Sequence, residues 1–136
     1  MLYRLILSLF LLLAGRSWGL EFENDKIKVW ENQDYTSYIY NSSIINLPPE
    51  WKKVWVLKNF KSKSSEKPLR VQSKRSNFVF DCLGETYYTL ASFNYSEQDA
   101  LSKPILQTNS GFNPKEIPVE SSEEMKLIFN RVCRGK

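Results

Sequence analysis

Ser121-Ser122-Glu123-Glu124-Met125-Lys126-Leu127-Ile128-Phe129-Asn130-Arg131-Val132-Cys133 decides the fold, because the apolar period changes within it. Met125, Ile128, Phe129, Val132 and Cys133 recur at helical spacing, so one stripe of a helix must be buried. Ser121 with Glu124 three residues later reads as a capping box, in which each side chain bonds the other's free backbone N–H. Two acids in the first turn and Arg131 and Arg134 in the last both suit the helix dipole.

Working back from that helix, the pattern has a period of two, broken by turn residues, which argues for antiparallel strands. The expected strands are Ile27 to Glu31, Thr36 to Tyr40, Lys53 to Phe60, Ser76 to Cys82, Tyr87 to Tyr95 and a weaker Ile105 to Gln107. Pro48-Pro49 argues against strand pairing just before Trp51. Lys61 to Lys67 is polar and charged and reads as a mobile loop, and Leu83-Gly84-Glu85 as a hairpin turn. Phe78, Phe80 and Cys82 share a face by alternation. Val54, Val56 and Phe60 point one way, Trp55 and Leu57 the other, so both faces carry apolar side chains. The expected fold is α+β: an antiparallel sheet of about five to six strands with the C-terminal helix packed on one face. Its expected core is Phe78, Phe80, Tyr88, Leu90, Met125, Ile128, Phe129 and Val132.

At the other end of the chain, Leu5 to Ala14 is apolar except for Ser8, too short to span a bilayer and the right length for a signal-peptide core. Small residues in Ser17-Trp18-Gly19 place cleavage near Gly19. Arg16 stands where a lipoprotein signal would carry its lipidated cysteine, so no lipid anchor is expected. The resulting division is a signal peptide at 1–19, an extension or first strand at 20–33, and one domain at 34–136. The expected location is the periplasm or the exterior, with no transmembrane segment after cleavage.

In an exported chain the two cysteines, Cys82 and Cys133, read first as a disulfide, with a single possible connectivity. A metal-binding or reactive thiol is the alternative. The chain has no histidine, which removes Ser-His-Asp and Cys-His schemes and the commonest metal ligand. The glycines are scattered, so there is no phosphate loop. No cofactor, metal site or enzymatic activity is expected. A carboxylate-dependent hydrolase of cell-wall or glycan polymers is the alternative from another class, and it needs two of Asp81, Glu85, Glu97 and Asp99 in one pocket. A structural envelope protein without a soluble ligand is a third reading.

The charge is unevenly spread. Lys52, Lys53, Lys58, Lys61, Lys63, Lys67, Arg70, Lys74 and Arg75 face Glu66 as the single acid between Trp51 and Arg75. Interleaved with Trp51, Trp55 and Phe60, they form a candidate surface for a protein or an anionic partner, with Lys58, Lys61, Lys63, Lys74 and Arg75 as the candidate binding residues. Nucleic acid is not expected for an exported chain. Lysines also solvate loops and guard edge strands.

Tyr38-Ile39-Tyr40, Ser43-Ile44, Val54-Trp55-Val56-Leu57-Lys58-Asn59-Phe60, Ser73-Lys74, Phe80-Asp81-Cys82, Pro118 and Val132-Cys133 occur in an order that resembles the bacterial surface-adhesin E domain family. The resemblance spans roughly Asp34 to Cys133. It implies a Gram-negative exported protein, a sheet with a C-terminal helix, a Cys82 to Cys133 bridge and pairing of two copies through the sheet. The family is named for an outer-membrane lipoprotein that attaches to host matrix proteins. The resemblance carries Lys74 and Arg75 over as counterparts of its adhesive region. Arg16 departs from the lipid-anchored pattern.

Overall fold

The computed structural model describes residues 25–64, 67, 68, 70–109, 111 and 114–136. The expected leader at 1–19 lies outside these residues, as does part of the expected loop at Lys61 to Lys67. The strands are β1 (Lys26–Glu31), β2 (Tyr35–Tyr40), β3 (Ile45–Leu47), β4 (Trp51–Phe60), β5 (Ser73–Asp81), β6 (Thr86–Tyr95), β7 (Pro104–Asn109) and β8 (Ile117–Pro118). Among the described residues one α-helix, α1 (Glu123–Arg134), follows.

All eight strands belong to one antiparallel sheet, whose main path runs β1-β2-β4-β5-β6-β7. The two strands beyond the expected six are short. β3 pairs with the first residues of β4, where β2 no longer reaches, and β8 pairs with the first residues of β6. Residues 48–50 just before Trp51 indeed have no strand partner, and Trp51 resumes the ladder opposite Leu47. Pro48 and Pro49 sit in the turn between these partners, where their missing N–H costs no ladder bond. Ser43 closes the gap between β2 and β3. Its Oγ accepts from the Trp55 N–H at 2.9 Å and donates to the Tyr40 carbonyl at 2.6 Å.

The helix lies on one face of this sheet. Met125, Ile128, Phe129 and Val132 are buried against Ile39, Val54, Val56 and Phe80, with Phe78, Tyr87 and both cysteines packed alongside. Cys82 and Cys133 are joined, with Cα atoms 5.5 Å apart, so the bridge fixes the helix end to the end of β5. Ten-residue strands can carry this many apolar side chains because each buried one removes area from water at about 25 cal/mol per Å².

Two expected core residues are displaced. Tyr88 lies on the opposite face and Leu90 is partly exposed. The register between β5 and β6 slips between Asn77 and Phe78, whose partners are Ala91 and Thr89, so Leu90 is the extra residue of a bulge. One inserted residue exchanges the two faces. Tyr87, opposite Phe80, takes the core position that strict alternation gives to Tyr88.

The cap is displaced too. Ser122, not Ser121, is the N-cap, and its Oγ accepts from the Met125 N–H at 3.3 Å. Ser121 closes the preceding 3-10 turn (Val119–Ser121) by donating to the Pro118 carbonyl at 2.7 Å. With the helix starting one residue later, Glu124 turns toward the sheet instead of back to its own backbone. At the other end Gly135 takes φ +68, a left-handed cap that glycine adopts without strain.

Candidate binding surface

The strand alternation that builds the core also sorts the basic residues. Ser37, Lys58, Lys74 and Asn94 are consecutive register partners across β2, β4, β5 and β6, one row on the helix-covered face. Glu124, in the first turn of α1, reaches this row. Its carboxylate accepts from the Ser37 hydroxyl at 2.9 Å and lies 3.9 Å from the Lys58 ammonium. Lys58 also stands 3.8 Å from the centroid of the Tyr35 ring, a cation–π contact.

Lys74 has no such company among the described residues. It is directly opposite Lys58, and like charges facing each other across a ladder repel. Burial, and then the neighbouring Lys58 charge, hold its pKa below the ordinary lysine value. Two lysines and one carboxylate beside the positive end of a helix dipole leave a surplus of positive charge.

The other candidates are distributed around this row. Lys61, just past β4, lies 3.4 Å from Glu31, whose carboxyl is held below its usual range by hydrogen bonds from Lys61 and Thr36. Lys63 is exposed in the turn that follows. Arg75, next to Lys74 in sequence, points to the opposite face because successive strand residues alternate. Its guanidinium sits 5.5 Å from the Trp55 ring and 5.6 Å from the Tyr95 ring, and it donates to the Tyr95 hydroxyl at 3.1 Å. Lys58 and Lys74 are thus brought together, while Arg75 is separated from them by the sheet.

That opposite face is aromatic. Trp55 packs against Phe93 and Trp51 against Tyr88, at centroid separations of 5.9 and 6.1 Å. Leu57, Val79, Tyr40 and Tyr95 are buried on the same face. Alternation along β4 signals an aromatic outer face in the sequence; the bulge at Leu90, which delivers Tyr88 to it, leaves no such signal.

Of the four acids named for a hydrolase, Glu97 is exposed two residues before Asp99, and the other three are engaged in contacts of their own. Asp81 accepts from the Leu83 and Gly84 amides, and Glu85 pairs with Arg134 at 2.6 Å, both at the tip of the β5–β6 hairpin. Asp99 lies beyond the far end of β6, held by Lys26 at 2.5 Å and by the Asn59 amide at 2.8 Å. Among the described residues no cluster of three or more His, Cys, Asp or Glu could hold a metal ion. No helix among them is long and apolar enough to cross a membrane.

The model of the family described as surface-adhesin protein E matches residues 25–134, most of the chain. The chain belongs to the surface-adhesin protein E family. Protein E of Haemophilus influenzae, solved in a second crystal form, has a similar fold, with a TM-score of 0.60 at 14% identity over 88% of this chain and 95% of that one. No curated protein matches the sequence significantly. For this surface-adhesin E domain the family supports an adhesin-like role in binding surfaces or proteins. Membership, together with the disulfide, fits an exported protein.

Proposed function

We propose that this chain is a non-enzymatic, exported binding module that docks a protein or an anionic surface through the basic end of its sheet, at Lys58, Lys61, Lys63 and Lys74. The observation that carries this reading is Lys74: half-buried, opposite a second lysine, and without an acidic partner among the described residues. Such a residue costs stability, and function is a common reason for a protein to carry such a cost. Arg75 belongs to the same segment but serves the aromatic face, where a second copy of the chain would pair through the sheet.

In this reading the leader is removed near Gly19 and the domain acts in the periplasm or outside a Gram-negative cell. The test is capture of partners from envelope extract or host matrix. Lys61→Glu with Lys63→Glu and Lys74→Glu abolishes capture if the helix-side row is the contact, while Arg75→Gln reports separately on the aromatic face. Capture unchanged by both sets would remove the basic segment from the account.

A further inference from the structure

A cleft of about 400 Å³ opens on the aromatic face, lined by Trp51, Tyr88, Pro114 and Glu116. It lies on the face opposite the Lys58–Lys74 row and toward the other end of the sheet. Trp51 and Tyr88 meet at 63°, forming two walls of an aromatic corner. β8 forms the third side: Ile117 pairs with Tyr87, and continuing that register brings Glu116 beside Tyr88. Glu116 is exposed and has no ion pair or hydrogen bond among the described residues. Asp81, directly opposite Trp51 in the ladder, adds a second carboxylate to this end of the face. Two cations border this end: Lys115, exposed between Pro114 and Glu116 in sequence, and Lys53, two residues along β4 on the same face.

We infer that this cleft takes an arginine side chain presented by a polypeptide partner. Indole and phenol faces attract a cation through their quadrupoles, and a guanidinium adds flat stacking and a two-pronged match to a free carboxylate. The chain already uses this chemistry within itself, since Arg75 lies over Trp55 and Tyr95 and Arg134 over Phe129. In a chain with net charge +4, a carboxylate without a partner beside two aromatic rings is complementary to a basic ligand rather than to the acidic one expected at the lysine row. The inference rests on reading the chain as a binding module. The lysine row lies on the other face, so its charge-reversal test and the test of the cleft fail independently.

The test is an NMR titration of the disulfide-intact protein with acetyl-Gly-Arg-Gly-amide, following the Trp51 indole N–H. The control peptide carries citrulline, the neutral isostere of arginine. Saturable movement of the Trp51 signal is expected with the arginine peptide, with affinity reduced about fivefold for citrulline and similarly by Glu116→Gln. Glu116 is exposed, so that variant is expected to fold normally, checked by an unchanged amide spectrum. Equal response to both peptides, an unchanged affinity in Glu116→Gln, or no saturable shift would each overturn the assignment.

Discussion

Lys74 stands directly opposite Lys58 in the β4–β5 ladder, and among the described residues only Lys58 of the two has a carboxylate within reach, that of Glu124. One consequence concerns stability. Replacing Lys74 by methionine keeps the aliphatic stem and removes the repulsion, so Lys74→Met should stabilise the fold by about 0.5 kcal/mol. The pH sign follows from linkage. The folded-state pKa of Lys74 is depressed, so as pH rises through it the folded chain releases a proton that the unfolded chain still holds, and stability increases. Urea denaturation at neutral and alkaline pH should therefore show the advantage of Lys74→Met shrinking as pH rises.

Asp99 gives the opposite dependence. Burial raises its pKa, but hydrogen bonds from Lys26 and Asn59 outweigh that and hold it below the ordinary carboxylate value. A depressed acid stabilises fully above its unfolded pKa, near 4, and the contribution disappears as pH falls through the folded value. Asp99→Asn should cost at most about 1 kcal/mol at neutral pH, because the pair is partly exposed, and should flatten the acid limb of the stability profile.

The disulfide closes a loop with a sequence separation of 51. Replacing both cysteines by serine should lower unfolding stability by about 4 kcal/mol in the chain-entropy model. Chemical denaturation of the double variant beside the parent measures it. A loss below about 1 kcal/mol would mean that the helix holds to the sheet through Phe129, Ile128 and Val132 alone.

Ser122→Ala should cost about 1 kcal/mol by freeing the Met125 amide. Ser121→Ala should cost less, since it removes one exposed bond to Pro118. Thermal melts of the two variants separate the caps, and the reverse order would restore the capping box of Ser121 and Glu124.

Much of this architecture is legible in the sequence because the signals are local. Helical spacing from Met125 to Cys133 and alternation from Phe78 to Cys82 each determine which face is buried, and a single cysteine pair admits a single bridge. What escapes the sequence is set by pairing between distant segments. The bulge at Leu90 depends on how β6 meets β5, and it alone exchanges Tyr88 for Tyr87 in the core. The short strands β3 and β8 exist only because β4 and β6 offer them free edges. The basic segment is visible as a run of charge, but its division between two faces, with Lys74 on one and Arg75 on the other, needs the register. Glu116 carries no sequence signal at all, and its place beside Tyr88 follows from β8.

The most direct measurement is retention of Lys74→Met on immobilised heparin, a defined polyanion, set beside its unfolding stability and beside Lys136→Met as a charge-matched control. A lysine kept for binding predicts a variant that is more stable than the parent yet elutes at lower salt than the control. A variant that is more stable and elutes with the control would show that Lys74 contributes only general charge, and the basic row would lose its role as the docking surface.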